Sequence, residues 1–505
     1  MPKYASLADI QAALRKGETT CRAVVEYYLS QIEKTRHLNA YVEVWADEAL
    51  AKADILDAHL GEAPTKMGRL CGAVISLKDN ICYAGHQVTA ASKILEGFTS
   101  LYSATAVERL LKEDAIIIGR TNCDQFGMGS SNENSVYGPV LNAADPERVP
   151  GGSSGGAAVS VQADTCLAAL GSDTGGSVRQ PAGFCGIWGF KPTYGRISRH
   201  GLIAYGSSFD QIGILANNPS DISILLKIME GSDTFDSTAT HHPKSEIRKP
   251  QSPIRIAYFP ETIENEGLEA GVRSVTLEFI EKLRAAGHTV EPVSFNPIPS
   301  PSPDGRGVRD VPSRYATTPL PSGEGLGVGL LNYVIPTYYV LTTAEASSNL
   351  ARYDGIRYGR RSPQAKNLEE TYLLSRSEGF SEEVKRRILL GTFVLSSGYY
   401  DAYYGKAQQA RALIRQRVLA ILQEFDFILM PVAPTTAWRF GEKSADPVAM
   451  YLSDIYTVLA NLAGVPALAI PAGKHPENGL PVGVQLMAAP WEEGKLLAFA
   501  EGLKS

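Results

Sequence analysis

The sequence predicts an α/β protein in which helices cover both faces of a central sheet. Short apolar runs with strand character alternate with stretches whose apolar residues recur at helical spacing. Strand-like runs also reappear after a long helical stretch near the C-terminus, so the sheet is assembled from distant parts of the chain.

Residues 6–16, 20–35 and 44–60 carry apolar positions at helical spacing, as in Val24, Val25, Tyr28, Leu29 and Ile32, and are expected as outer helices. Gly72 to Leu77 reads as a strand ending at Lys78, Thr105 to Lys112 as a helix, and Ala115 to Gly119 as a strand. Ala157 to Val161 reads as the start of a helix and Cys166 to Leu170 as a buried strand. Ile254 to Tyr258 follows as a strand and Val272 to Ala286 as a helix. Amphipathic patterns over 339–352, 381–404 and 407–424 predict long helices, ahead of strands at 427–430, 466–471 and 481–487. Between Asn296 and Leu330, seven prolines and six glycines in 35 residues leave no hydrophobic period. That segment is expected to be an inserted, disordered surface loop.

With 44% hydrophobic and 20% charged residues, the composition is that of an ordinary globular protein. The net charge of −6 provides no general basic field for nucleic acid, so any RNA contact must be local or supplied by a partner. The six cysteines are scattered without a C-x-x-C pair, which fits a reduced, cytoplasmic compartment. No basic region followed by an apolar one opens the chain, and no run of 18 apolar residues occurs; neither secretion nor a membrane span is expected.

Two Gly/Ser clusters, Gly151-Gly152-Ser153-Ser154-Gly155-Gly156 and Gly171-Ser172-Asp173-Thr174-Gly175-Gly176-Ser177, concentrate the chemistry. Such runs commonly serve as linkers, yet both abut apolar stretches with core character. Backbone N–H groups ahead of Ser177, free of bulky side chains, suit an oxyanion hole for acyl transfer. A serine needs a neighbouring base, and the eight histidines all lie outside the two clusters. Gly151 to Gly155 also satisfies G-x-S-x-G, which keeps open an α/β-hydrolase with Ser153 as nucleophile and downstream Asp and His partners. Lys78 offers the other route: at a strand end, burial could hold its amine neutral, at a cost of about 4 kcal/mol for about three pKa units.

Lys78 in Leu77-Lys78-Asp79-Asn80, the cluster 151–156 and the run from Gly171 to Ala182 resemble the amidase signature family, in residues and in spacing. The resemblance implies Ser177 as nucleophile, Ser153 as a bridging serine in a cis peptide and Lys78 as base. It implies an oxyanion hole of backbone N–H groups at Thr174, Gly175, Gly176 and Ser177. It also implies one mixed sheet sandwiched by helices and a single domain over residues 1–505, interrupted by the 296–330 insertion.

Within that family, segments outside the signature are similar to the A subunits of tRNA-dependent amidotransferases. They include Asn122 to Ser131, Lys191 to Arg196, Ala344 to Leu350 and Arg376 to Tyr403. By that resemblance Tyr338, Arg387 and Asp454 grip the backbone of glutamine, a role suited to bidentate arginine and to a carboxylate facing an ammonium. It implies B and C subunits as partners in a heterotrimer, with tRNA, ATP and Mg²⁺ bound at the B subunit. No cofactor or metal is expected in this chain, which has no G-x-x-x-x-G-K-[ST] loop. The implied function is glutamine hydrolysis that supplies ammonia for converting Glu-tRNA(Gln), or Asp-tRNA(Asn), to the amide; a stand-alone small-amide amidase is the alternative. Two departures stand out: the 296–330 insertion, and a chain that stops soon after its last strand where relatives tend to continue into a helix.

Overall fold

The computed structural model describes residues 4–62, 67–240, 253–295, 330–443 and 446–503. The expected insertion falls outside them except for Leu330, which opens a short turn ending at Tyr333. Eleven strands form one sheet among the described residues. They are β1 (Tyr41–Val44), β2 (Val74–Lys78), β3 (Ile116–Thr121), β4 (Ala168–Asp173), β5 (Trp188–Lys191), β6 (Gln211–Ala216), β7 (Arg255–Tyr258), β8 (Thr289–Pro292), β9 (Phe427–Pro431), β10 (Ala467–Lys474) and β11 (Pro481–Ala488).

The spatial order is β1-β3-β2-β4-β6-β5-β10-β11-β9-β7-β8. β2 runs parallel to β3 and β4, and β7 parallel to β8 and β9. The other pairs are antiparallel, so the sheet is mixed and flanked by helices, as the sequence predicts. Every residue of β2, β3 and β4 is buried, which explains why those strands read as apolar runs rather than alternating ones; β6, equally buried, was not expected.

The expected outer helices form at Leu7–Arg15, Cys21–Lys34 and Ala46–Glu62. Ser6 and Thr20 cap the first two through bonds to the N–H groups of Asp9 and Ala23. In the second, Val24, Val25, Tyr28 and Ile32 face the core. The amphipathic stretch 381–404 is not one helix. It ends at Val394 and resumes as a π-helical turn over Tyr400–Gly405, because Gly398 between them turns left-handed at φ 85°. A helix does follow the last strand, at Glu493–Leu503, contrary to the expectation of a chain that stops there.

Because β3, β2 and β4 are neighbours and parallel, their C-terminal ends share one edge of the sheet. That edge carries Lys78 at the end of β2, Asn122 to Asp124 after β3, and Ser172 and Asp173 at the end of β4. Such an edge is where open α/β sheets place their ligands.

Candidate active site

Lys78 is fully buried, and its Nζ lies 2.7 Å from Ser153 Oγ, 2.9 Å from Ser154 Oγ and 2.9 Å from Ser172 Oγ. Burial lowers its pKa to about 8, against the pull of Cys123, Asp124, Asp173 and Asp210 in the other direction. A neutral amine has two N–H donors and one lone pair. Two of the three hydroxyls can take the donors, and the lone pair is left for the third. Ser154 Oγ already donates to the Ser172 carbonyl at 3.2 Å and so meets the lysine as an acceptor. Ser153 and Ser172 are then the two hydroxyls that can offer a proton to the lone pair, and Ser172 Oγ also accepts from Asn80 Nδ2 at 2.9 Å.

The Gly152–Ser153 peptide is cis. Gly152 N–H donates to Gln180 Oε1 at 2.9 Å, and the Ser153 carbonyl accepts from Asp124 N–H at 3.1 Å. Ser154 N–H donates to the carbonyl of Ser177 at 3.1 Å, which ties the two Gly/Ser clusters together by their backbones. Ser177 is partly exposed, in the turn between β4 and the helix Arg179–Cys185.

That turn is built around Asp173. Its carboxylate accepts from Gly176 N–H at 2.9 Å and Val178 N–H at 3.2 Å, from Arg179 at 3.0 and 3.1 Å, and from Asn461 at 2.9 Å. Burial alone would raise its pKa, but Arg179, Lys191 and Asn461 together outweigh burial and hold the carboxyl near 2. The Gly176 N–H, one of the expected oxyanion donors, is thereby committed to Asp173. Glycine is required in the turn because other groups approach too closely for a Cβ. One at 175 would lie 2.3 Å from the Tyr338 hydroxyl, and one at 176, where φ is +129°, 2.1 Å from Thr457 Oγ1.

Tyr338, Arg387 and Asp454, far apart in sequence, gather beside this turn. Tyr338 is buried on helix Val334–Leu350 against Gly175, edge-on to Phe209. Arg387, buried on helix Glu382–Val394, has its guanidinium within 5.5 Å of the ring centres of Tyr205, Tyr339 and Tyr451. It donates to Tyr205 Oη at 2.5 Å and to Glu383 Oε1 at 2.7 Å. Asp454 Oδ2 accepts from Ser130 Oγ at 2.8 Å and from Tyr339 Oη at 3.3 Å. Burial raises the Asp454 pKa to about 7.

Of the residues next to Arg387 and Tyr338, Arg386 forms an ion pair with Glu383, and Tyr339 reaches Asp454. A cleft of about 290 Å³ opens next to these residues, with Asp124, Ser131, Arg387, Lys443 and Tyr451 in its walls. Sequence reasoning missed Ser154, Ser172 and Arg179 although all three lie inside the quoted motifs. It also missed Ser130, Tyr205 and Thr457, which only the fold brings to the site.

The α/β-hydrolase alternative needs a histidine at Ser153, and the structure supplies a lysine. His86 instead bonds Glu48, and His200 stacks between Tyr102 and Phe235. Among the described residues no group of three or more His, Cys, Asp or Glu side chains could hold a metal. No described helix is long and apolar enough to cross a membrane.

The profile of the amidase family matches residues 23–303 and 327–497, a break that falls within the Pro/Gly-rich stretch. The chain is 45% identical to the A subunit of the glutamyl-tRNA(Gln) amidotransferase of Prosthecochloris aestuarii, over 100% of this chain and 99% of that protein. It is 45% identical to the protein of the same name from Chlorobaculum tepidum, over 98% and 97%. The A subunit of the Thermotoga maritima glutamyl-tRNA(Gln) amidotransferase, known from a crystal structure, superposes with a TM-score of 0.71 at 35% identity, covering 95% of this chain and 90% of that one. An amidase crystal structure gives 0.78 at 28% identity, covering 99% of both chains. The lysine under two serine clusters, the mixed sheet that presents them and the match along nearly the whole sequence agree: the chain belongs to the amidase signature family.

Proposed function

We propose that this chain is the glutamine-hydrolysing subunit of a tRNA-dependent amidotransferase. Ser177 attacks the side-chain amide carbon of glutamine while its proton passes through Ser153 to Lys78. Backbone N–H groups of the turn from Thr174 to Ser177, other than that of Gly176, receive the carbonyl oxygen as it becomes negative. Collapse of the tetrahedral species expels ammonia, protonated on leaving by the same relay. Water then cleaves the glutamyl ester on Ser177 to release glutamate.

The observation that carries this reading is that a buried arginine and a buried aspartate both lie near the serine-lysine centre. A neutral amide needs neither. A free amino acid needs both: Arg387 for the α-carboxylate and Asp454 for the α-ammonium, with Tyr338 packed against Gly175 in the turn that leads to Ser177. Full-length relatives at 45% identity, named as A subunits of the glutamyl-tRNA(Gln) amidotransferase, support this over a stand-alone amidase.

Ammonia made here serves a partner. A B subunit that binds ATP, Mg²⁺ and tRNA activates the glutamate of Glu-tRNA(Gln), or the aspartate of Asp-tRNA(Asn), and a C subunit completes the heterotrimer. The reaction belongs in the cytoplasm, where aminoacyl-tRNA is made. The test is ammonia release from glutamine by the chain with its B and C partners. Glutamine should be hydrolysed and its D-enantiomer or a simple fatty amide should not; turnover of fatty amides in preference would favour the amidase.

A further inference from the structure

The peptide between Gly175 and Gly176 is held at both ends. Its N–H donates to Asp173 Oδ1 at 2.9 Å, and its carbonyl accepts from Thr457 Oγ1 at 2.7 Å. A peptide group fixed in this way cannot turn its N–H toward a substrate. The N–H groups of the peptides on either side, those of Gly175 and Ser177, donate to no described protein group.

Thr457 itself is fully buried and locked. Its N–H and its hydroxyl lie 3.0 and 3.1 Å from the Asp454 carbonyl, and its own carbonyl accepts from Arg179 Nη1 at 2.8 Å. It stands directly before the helix Val458–Ala463, three residues after Asp454. Its side chain also packs against Gly176, where an added Cβ would lie 2.5 Å from Thr457 Cβ.

We propose that Thr457 is a positioning residue for the oxyanion turn: by holding the Gly175 carbonyl it aims the N–H groups of Gly175 and Ser177 at the reacting oxygen. The same short segment carries Asp454, so substrate grip and oxyanion geometry share one rigid support. This rests on the reading of Ser177 as the nucleophile. Thr457 touches no substrate atom; its effect is to stop the clamped peptide from rotating, and the benefit appears only when the carbonyl oxygen gains charge.

The test compares Thr457→Val, which keeps the shape and loses the hydroxyl, with Thr457→Ser, which keeps the hydroxyl. Both are assayed on glutamine in the assembled complex, with active sites counted by a serine-directed fluorophosphonate and with Ser177→Ala as reference. Thr457→Val should lower kcat on the order of 10- to 100-fold with KM changed less than about threefold, and Thr457→Ser should recover most of the loss. A purely structural role would reduce the count of active sites without changing kcat per site. Should Thr457→Val not fold, Thr457→Cys, a weak donor of similar size, carries the same expectation at smaller amplitude.

The inference is overturned if Thr457→Val, or its cysteine substitute, keeps kcat per site within twofold while Ser177→Ala is inactive. It is also overturned if Thr457→Ser is no better than Thr457→Val. Full activity of Ser177→Ala would remove the reading beneath it, and with it the inference.

Discussion

Lys78 Nζ lies 2.7 Å from Ser153 Oγ inside a fully buried site, with the hydroxyls of Ser154 and Ser172 each at 2.9 Å. Burial lowers its pKa to about 8, so the neutral, proton-accepting form exists above that pH and disappears below it. kcat/KM for glutamine should therefore rise with pH and level off above about pH 8. Lys78→Ala should remove this limb together with the activity, by roughly 10³-fold or more. A pH profile of each protein decides it.

Asp454 titrates near pH 7 because it is buried, and only its ionised form can pair with the α-ammonium of a substrate. KM for glutamine should rise as the pH falls below about 7. Asp454→Asn should raise KM by about tenfold or more above about pH 7, approach the native value below it, and abolish that dependence. Steady-state kinetics between pH 6 and 9 (about the range in which the fold is expected to hold) test both statements.

Arg387 meets three tyrosine rings and donates to Tyr205 and Glu383. Lysine at this position keeps the charge and loses the planar fork. Arg387→Lys should raise KM for glutamine by about 10- to 100-fold while kcat falls much less. Equal losses in kcat and kcat/KM would show a group that acts only in the transition state.

The pair of Asp173 and Arg179 is wholly buried, with Nη2 at 3.0 Å from Oδ1. Arg179→Met removes one partner and leaves the carboxylate charged in the interior. Unfolding in denaturant should show a loss of about 3–5 kcal/mol. The double variant Arg179→Met with Asp173→Leu should recover part of that stability and none of the activity, because the turn after β4 loses its organising anion.

The residues proposed to carry the chemistry were legible in the sequence because they are local. Lys78 ends an apolar run, and Ser153 and Ser177 sit in glycine-rich turns that follow or precede core segments. Tyr338, Arg387 and Asp454 could be placed only through resemblance; nothing in an amphipathic helix marks which polar residue faces inward. Ser130 reaches Asp454 across 324 positions and Thr457 reaches Gly175 across 282, separations at which sequence pattern is silent. The fold class was legible from alternation, but β1, β5, β6 and β8 escaped notice: β1, β5 and β8 are four residues long, and β6, buried throughout its six residues, shows no alternation. The long pattern at 381–404 misled because a single left-handed glycine, Gly398, outweighs many good helical positions around it.

The measurement that tests the central claim most directly is ammonia release from L-glutamine by the assembled complex, with the native chain and with Ser177→Ala, Ser153→Ala and Lys78→Ala. The account predicts hydrolysis by the native chain alone among the four, coupled to amide formation on the acceptor tRNA. Amide formation from glutamine that survives Ser177→Ala would contradict it.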